Sequence, residues 1–379
     1  MKKTFILAIC VLAMACAEEI TILKPDDKEQ VSYAHHPKHA VYMAELSAFR
    51  SRSNAPGSIL LVKKPQEELW VGATGFSNLA YQQPMHTNDQ FRTGSVTKMF
   101  TAVVVMKLVE EGKLTLEDTL ADLLPEVDGK IPQAGEITLR HLLSHQSGLF
   151  DPPNESLRYQ GDIINQPEAM YKKTVWQVLE QYVFGKSLHF APGSRYSYSN
   201  TNYWLLGLVA ERLEQQPIQQ IMQRMIFVPL NMQHTYIDKR DDRNVVRGYA
   251  NLYNDGHLVD VSLWDRAEGD GEADGGIIST AEDLYKFMDG LFGNKLVTPA
   301  TLAEMKRVQW SGCDSEYCEY GLGIEIWRTG LGIAYDHNGG LVGIEANALY
   351  YESTGGIMVL YKNEGSGASK SFLDEVMKP

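Results

Sequence analysis

The stretch FRTGSVTKMF, residues 91–100, places Ser95 and Lys98 three residues apart at the start of a long apolar run. The three valines at 103–105 within that run cover every direction around a helix, so the pattern predicts a helix that is buried on all sides. Gly112 is a natural end for this helix. Because residues three apart share one helix face, Ser95 and Lys98 are expected side by side in the first turn.

This pairing has a chemical interpretation and a structural one. A serine hydroxyl is a weak nucleophile that needs a base. Burial lowers the pKa of a lysine, so a neutral Lys98 could take the proton of Ser95. The unpaired N–H groups of the first helical turn, that of Ser95 included, could stabilise an oxyanion. In the structural interpretation, Ser95 only caps the helix and the side chain of Lys98 is exposed to solvent.

A second polar stretch, FAPGSRYSYSNTNYW at residues 190–204, stands just before another apolar helix. The phenol of Tyr198 could share a proton with a lysine and serve as an acid or base. The side-chain amide of Asn200 could donate to and accept from a substrate amide. The structural alternatives are a half-buried core tyrosine and a helix cap.

A third stretch, YDHNGGLVGIEA at residues 335–346, contains His337 between two predicted strands. The glycines that follow, Gly339 and Gly340, would let a ligand backbone lie along the strand edge. A strand N–H at about Gly340 could supply a second oxyanion donor. The structural alternative for His337 is a hydrogen-bonded histidine in a turn.

The ordered set Ser-x-x-Lys, Tyr-Ser-Asn and His-x-Gly in these stretches resembles the serine β-lactamase and penicillin-binding superfamily. It is most similar to class C β-lactamases, D-alanyl-D-alanine carboxypeptidases, and related esterases and D-aminopeptidases. The stretches ITLRHLLSHQSGL (137–149) and DGGIISTAEDL (274–284) also match the habits of this family. The resemblance covers about residues 40 to 365.

The resemblance implies a role for each site residue. Ser95 is expected to be the acylated nucleophile, with Lys98 as its proton partner and Tyr198 as the base for acylation and the acid toward the leaving group. Asn200 would hold the substrate amide, and His337 would stand where class C β-lactamases have a lysine. The backbone at Gly339 and Gly340 would bind the substrate, with the N–H groups of Ser95 and Gly340 forming an oxyanion hole. No metal or cofactor is implied.

The sequence also departs from the family pattern. A histidine at position 337 favours peptidases and esterases over a dedicated β-lactamase. Carboxypeptidases of this type tend to hold the terminal carboxylate of the substrate with an arginine on the preceding strand. Here Glu325 aligns near that position, with Arg328 three residues later. An acidic residue would repel a carboxylate, which leaves room for an ester or a D-amino-terminal substrate.

Strand patterns stand at both ends of the chain and helical patterns fill the middle. The predicted fold is of the α/β (α+β) type, with an antiparallel sheet from the N- and C-terminal segments, flanking helices and an all-helical insertion. The α/β part would comprise about 37–112 and 275–379, and the helical part about 113–274. The acidic stretch EGDGEAD (268–274) is expected to be a solvated loop, and Ser279 with Glu282 a helix capping box.

The N-terminus predicts export. Residues 1–15 combine a basic start with an apolar run, which is typical of a secretory signal peptide, and residues 16–36 are expected to be a tether. Either Ala13-Met14-Ala15 is an ordinary cleavage site or Cys16 is lipidated and anchors the protein to a membrane. The expected location is the bacterial periplasm or cell envelope. In that oxidising space Cys313 and Cys318 would form a disulfide.

Several other functions fit poorly. A net charge of −13 argues against a nucleic-acid partner. His141 and His145 have helical spacing, but no glutamate follows His141, so the zinc-protease pattern fails. The family resemblance implies a small peptide, ester or β-lactam as the substrate, with peptidoglycan as an expected source. A carboxypeptidase is favoured, and an esterase, a D-aminopeptidase, a β-lactamase and a binding protein without turnover stay open.

Overall fold

The computed structural model describes residues 32–240, 244–269, 271–311, 318–365 and 370–378. The predicted signal peptide, Cys16 and Cys313 lie outside the described residues, as does most of the tether. Export, lipidation and the disulfide therefore stay predictions.

Residues 97–227 form consecutive helices without an intervening strand, and strands stand before and after them. The α-helices are α1 (His39–Ser53), α2 (Thr97–Glu110), α3 (Leu120–Leu123), α4 (Leu139–Leu143), α5 (Pro152–Glu155), α6 (Leu157–Asn165), α7 (Pro167–Tyr171), α8 (Val175–Tyr182), α9 (Asn200–Glu214), α10 (Ile218–Met222), α11 (Ser262–Gly269), α12 (Ala281–Phe292), α13 (Pro299–Lys306) and α14 (Lys370–Met377). The strands are β1 (Gly57–Lys63), β2 (Trp70–Asn78), β3 (Gln83–Pro84), β4 (Phe91–Arg92), β5 (Tyr249–Ala250), β6 (Val259–Asp260), β7 (Ile278–Ser279), β8 (Trp310–Ser311), β9 (Cys318–Tyr320), β10 (Glu325–Thr329), β11 (Gly332–Gly340), β12 (Glu345–Tyr351) and β13 (Gly356–Lys362).

One large antiparallel sheet joins the two ends of the chain. Its strand order is β3-β2-β1-β13-β12-β11-β10-β9-β8. The N-terminal hairpin β1–β2 meets the C-terminal meander through β1 and β13, with Leu60 opposite Leu360. This confirms the predicted fold class, an antiparallel sheet built from both chain ends and flanked by helices.

The sheet is covered on both faces because its inner strands alternate side chains between two apolar layers. In β1, Leu60 and Val62 pack in a layer that includes Phe49 of α1 and Leu373 of α14. Ile59 and Leu61 of the same strand point into the larger core on the other side. This period of two is what a strand with two buried faces requires.

Helix α2 lies in the larger core, as its sequence predicts. Val103, Val104 and Val105 are all fully buried, so the middle of the helix is buried on every side, and exposure begins only at Lys107 in the last turns. Helix α2 ends at Glu110, and Gly112 follows with a left-handed φ of +68°, a conformation that glycine adopts without strain. The helix therefore fixes Lys98 inside the protein.

Two local expectations were wrong. Helix α12 is capped by Thr280, whose hydroxyl accepts from the N–H of Asp283. Ser279 lies in β7 and pairs with Phe91 of β4, so it forms no capping box with Glu282. The stretch 268–274 is not a solvated loop, because Glu272 and Asp274 are both buried. The Asp274 carboxylate accepts from Trp204 Nε1, and the backbone carbonyl oxygen of Asp274 accepts from Lys98 Nζ.

Within the described ranges, no helix is both long enough and apolar enough to cross a membrane.

Candidate active site

Ser95 is held at the surface of a buried element. A 3₁₀ turn, Gly94–Val96, leads directly into α2, and Gly94 begins it with a φ of +52°. Ser95 is the one residue of 91–100 that is partly exposed. The turn therefore brings a single hydroxyl out of the core.

Strand β11 packs directly against this turn because Gly339 lacks a side chain. A Cβ at Gly339 would lie 1.9 Å from the carbonyl oxygen of Thr93 and 3.0 Å from the backbone nitrogen of Ser95. The neighbouring Gly340 faces the open space beside Ser95. The two backbone segments predicted to supply the oxyanion donors are thus in contact.

Lys98 is completely buried and makes three hydrogen bonds to uncharged oxygen atoms. Its Nζ lies 2.9 Å from Ser95 Oγ, 2.7 Å from Asn200 Oδ1 and 2.9 Å from the backbone carbonyl oxygen of Asp274. Burial lowers the pKa of Lys98 from 10.5 to about 8, and the charge of Asp274 opposes this shift most strongly. At pH 7 about a tenth of the Lys98 amines are therefore neutral and able to accept a proton.

Tyr198 approaches Ser95 from the loop before α9. Its Oη donates a hydrogen bond of 2.8 Å to Ser95 Oγ. Burial raises the pKa of Tyr198 well above 10, and the hydrogen bond to Ser95 opposes that shift. The phenol therefore keeps its proton and is an acid rather than a base in the resting site.

Asn200 is fixed from both sides, which also fixes the orientation of its amide. Its backbone N–H and its Nδ2 both donate to Asp151 Oδ1, at 3.1 and 3.2 Å. Its Oδ1 accepts from Lys98, so the amide oxygen faces the lysine. Asn200 lines the cleft and also accepts a hydrogen bond from Lys98, and its binding of the substrate stays a prediction.

His337 lies under the site and hydrogen-bonds to Tyr320, with the ring of His145 on the other side of Tyr320. The backbone N–H of Ser199 donates to His145 Nδ1 at 3.1 Å, so the proton of that ring is on Nε2, which lies 3.2 Å from Tyr320 Oη. The Tyr320 hydroxyl in turn lies 3.0 Å from His337 Nε2. The other ring nitrogen of His337, Nδ1, carries the proton and donates it to the Asn338 carbonyl oxygen at 2.8 Å.

This buried chain supports Tyr198 from below. The His145 ring stacks on the Tyr198 ring with centroids 4.3 Å apart. The His337 ring centroid lies 6.2 Å from that of Tyr198, and both of its nitrogens are used by Tyr320 and Asn338. The structure thus brings Ser95, Lys98 and Tyr198 together, whereas the catalytic role of His337 stays a prediction.

A cleft of about 530 Å³ opens over Ser95. Its floor includes Tyr198, Asn200 and Gly340, and its walls carry four carboxylate residues: Glu155, Glu268, Asp274 and Glu325. Among the described residues that line it, none is basic. A small amide or ester can reach the hydroxyl, and it does so between acidic walls.

Glu325 and Arg328 have different positions. Glu325 is buried at the wall of the cleft, accepts from Trp327 Nε1 at 3.1 Å and lies 3.8 Å from His337 Nδ1. Arg328 is exposed and pairs with Glu319 at 3.0 Å. Among the described residues lining the cleft, no arginine occupies the place expected for holding a terminal carboxylate.

Sequence reasoning missed two groups that support the site. Asp151 is buried and holds Asn200, and burial raises its pKa. His145 stacks on Tyr198, with a positive φ of +57°. Both lie in the stretch that follows α4, where several polar residues come directly after an apolar helix. This run of polar residues was the sequence feature that could have indicated their support of the site.

The residues His141 and His145, considered for a metal, have separate structural roles. His141 Nδ1 accepts from the N–H of Thr138 at the start of α4, and His145 is committed to Ser199 and Tyr320. Within the described ranges, no group of three or more His, Cys, Asp or Glu is placed to hold a metal ion.

Comparisons with known proteins identify the family of this chain. The sequence model of the family described as Beta-lactamase matches residues 43–375. The chain is 28% identical over 298 residues to penicillin-binding protein 4* of Bacillus subtilis (strain 168), covering 75% of this chain and 62% of that relative. It is 27% identical over 246 residues to a beta-lactamase of Yersinia enterocolitica, covering 63% of this chain and 57% of that relative.

The chain therefore spans about three-fifths of the length of these two relatives. Among solved structures, a D-stereospecific amidohydrolase from Streptomyces sp. superimposes with a TM-score of 0.78 at 26% identity. That superposition covers 90% of this chain and 98% of the other.

Proposed function

The chain belongs to the beta-lactamase family and is a serine hydrolase, and from that premise we propose that it cleaves a small amide or ester through an acyl-enzyme on Ser95. The observation that carries this proposal is the set of three hydrogen bonds made by Lys98. Two of its partners, Asn200 Oδ1 and the Asp274 carbonyl oxygen, only accept. When the amine loses a proton, its lone pair therefore turns toward the third partner, Ser95 Oγ.

Acylation follows from this arrangement. Neutral Lys98 takes the proton of Ser95 as Oγ attacks the substrate carbonyl carbon and forms a bond to it. The negative charge moves to the carbonyl oxygen, which the N–H groups of Ser95 and Gly340 would stabilise. The resemblance gave the role of base to Tyr198, but its high pKa favours Lys98 in that role.

Departure of the leaving group requires an acid, and Tyr198 is placed to supply it. The tetrahedral intermediate collapses, the bond to the leaving nitrogen or oxygen breaks, and the phenol donates a proton to that atom. Lys98 then passes the proton it took from Ser95 to the Tyr198 phenolate. Both groups therefore end acylation in the protonation states in which they began it. Water then attacks the ester on Ser95, and the same groups return the enzyme to its starting state with release of the acid.

The acidic cleft, together with the similarity to a D-stereospecific amidohydrolase, favours an amidase or an esterase. A D-alanyl-D-alanine carboxypeptidase is the second candidate. The similarity to penicillin-binding protein 4* supports it, and Glu325 at the cleft wall argues against binding of a terminal carboxylate. Export to the periplasm, with or without an anchor at Cys16, is part of the proposal and rests on the N-terminal sequence.

Intact-mass spectrometry after mixing with p-nitrophenyl acetate and with penicillin tests this function. We expect the wild type to gain the mass of one acyl group, and the matched Ser95→Ala variant to gain none. An adduct that disappears within seconds indicates turnover, and one that persists indicates a penicillin-binding protein. A wild type that forms no adduct with either donor, while folded by circular dichroism, would contradict the proposal.

A further inference from the structure

Asp151 is fully buried, and its carboxylate accepts hydrogen bonds from two asparagines. Oδ1 accepts from the backbone N–H of Asn200 at 3.1 Å and from Asn200 Nδ2 at 3.2 Å. Oδ2 accepts from Asn154 Nδ2 at 2.5 Å. Each of these contacts is made by an N–H group, so the position requires an acceptor, which an ionised carboxylate supplies with both of its oxygens.

This arrangement decides which way the side-chain amide of Asn200 faces. With Nδ2 on the carboxylate of Asp151, Oδ1 faces Lys98 and accepts from its Nζ at 2.7 Å. A half-turn of the amide would exchange its acceptor oxygen and its donor nitrogen. The amide oxygen would then meet the carboxylate, acceptor against acceptor, which is unfavourable for two buried groups. Asp151 therefore opposes the half-turn.

The orientation matters most in the reactive state of the lysine. The ammonium form of Lys98 has only protons to donate, so it also requires an oxygen at Asn200. The neutral amine has a lone pair and could accept an N–H from a turned amide. That hydrogen bond would occupy the lone pair that is needed to take the proton of Ser95. In the neutral state, therefore, Asp151 is what keeps the lone pair available.

We infer that Asp151 is a positioning residue for acylation: by holding the amide of Asn200, it directs the lone pair of Lys98 at the nucleophile. This inference rests on the proposed function, because it concerns proton transfer from the same serine. Asp151 is not among the described residues that line the cleft, so it acts through Asn200 and not on the substrate.

Asp151 has two effects on Lys98 that must be separated, its charge and its hold on the amide. The carboxylates that act most strongly on Lys98 through their charges are Asp274, Asp151, Glu325 and Glu268. Loss of one of these charges lowers the pKa of Lys98 and moves the midpoint of the pH profile down. Loss of orientation instead lowers the rate of the neutral amine itself, which is the limiting rate at high pH.

Asp151→Asn tests the inference, because an amide at this position donates as well as accepts and so permits both orientations of Asn200. We expect the limiting burst rate with p-nitrophenyl acetate to fall about tenfold or more, since a misplaced catalytic group can cost about 10²-fold. The midpoint should fall as well. Asp274→Asn is the matched comparison, because it removes the charge with the larger effect on Lys98 and leaves the contact between Asp151 and Asn200 in place. Its limiting rate should lie at least about fivefold above that of Asp151→Asn.

A second variant restores the orientation by other means. In Asp151→Asn/Asn200→Asp, the group beside Lys98 is a carboxylate, which has no N–H and cannot occupy the lone pair. We expect the limiting rate to recover to within about threefold of the wild type. The midpoint should rise above 8, because a negative charge now contacts the lysine. p-Nitrophenyl acetate has no amide, so binding of a substrate amide at position 200 does not enter the measurement.

The outcomes separate this inference from the proposed function. Equal limiting rates in Asp151→Asn and Asp274→Asn mean that Asp151 acts by its charge alone, which overturns the inference. A double variant that stays as slow as Asp151→Asn also overturns it, because the loss is then not one of orientation. Urea titrations show that each variant is folded, and Asp151→Ser, whose hydroxyl also donates and accepts, takes the place of an unfolded Asp151→Asn. Absence of a Ser95 adduct in the wild type overturns the function itself.

Discussion

Two lysines among the described residues are fully buried, in contrasting surroundings. Lys98 contacts three uncharged oxygen atoms beside the cleft, whereas Lys362 of β13 lies 3.2 Å from Glu345 and 3.1 Å from Glu364. Both side chains are at most 1% exposed. Burial without a contacting carboxylate disfavours the ammonium form, whereas contact with two carboxylates favours it. The contrast separates a lysine beside the cleft, which carries the proposed role of base, from one that joins two buried carboxylates in the core.

The largest expected effect is on catalysis and separates the two lysines. Lys98→Met should lower kcat/KM by about 10³-fold, because a positioned acid or base contributes about 10²–10⁴-fold. Lys362→Met, the matched replacement, should change kcat/KM per folded molecule by less than about threefold. Steady-state hydrolysis of p-nitrophenyl acetate with active-site counting measures both. If Lys98→Met keeps its activity, the amine is not the base.

Stability should show the reverse order. Lys362→Met leaves Glu345 and Glu364 buried without the ammonium between them, so we expect a loss of about 3–5 kcal/mol in the free energy of unfolding. Lys98→Met removes hydrogen bonds but also a costly buried charge, and its loss should be smaller. Urea titrations followed by circular dichroism compare the two variants. Equal losses would contradict the distinction.

The pH dependence of acylation reports the state of Lys98. Its pKa in the folded protein is lowered to about 8, and only the neutral amine accepts the proton of Ser95. The acylation rate should therefore rise about tenfold per pH unit below 8 and level off above it. Stopped-flow burst kinetics from pH 6 to 9.5 measure this profile. A rate that is flat over this range would indicate another base.

Asp274→Asn should move that profile in a known direction. The charge of Asp274 is the strongest influence raising the pKa of Lys98, so its removal should shift the midpoint down by about 0.5–1 unit. Asparagine can still accept from Trp204 through its amide oxygen. The matched control, Glu364→Gln beside the other lysine, should leave the midpoint in place. A midpoint that rises in Asp274→Asn would contradict the electrostatic account.

The smallest effect concerns Glu272, a buried carboxylate that lies 3.5 Å from Lys239. Burial raises the pKa of Glu272 from 4.5 to about 8, so the folded state holds a proton that the unfolded state releases. The free energy of unfolding therefore falls as pH rises from 4.5 to about 8. Glu272→Gln should raise Tm by about 2 °C or more at pH 8.5 and change it less at pH 5. Calorimetry at both pH values measures this, and a larger gain at pH 5 would contradict it.

Much of the site was predictable because it depends on local patterns. The consecutive valines required a buried helix, which places Lys98 inside and Ser95 at its end. The alternating runs at both chain ends specified the antiparallel sheet. The family resemblance carried by the three polar stretches then implied that Tyr198 and the glycines of β11 would meet Ser95.

The rest depended on long-range packing that the sequence does not display. The stretch 268–274 looked solvated because its residues are acidic, yet α11 and its following turn lie against the cleft and bury Asp274. The sequence did not show that Asp151, 49 residues earlier, orients Asn200 toward Lys98, and substrate binding by Asn200 stays a prediction. The ring of His337 is committed to Tyr320 because the alternation of β11 directs it under the site.

The most direct test of the account is the pKa of Lys98 itself. Lysine labelled with ¹³C at Cε can be titrated by NMR, and the Lys98 signal is identified by its absence from the Lys98→Met spectrum. The account predicts that this signal titrates with a midpoint of about 8. A Lys98 signal that stays fully protonated until pH 10 would contradict the claim that a neutral amine activates Ser95.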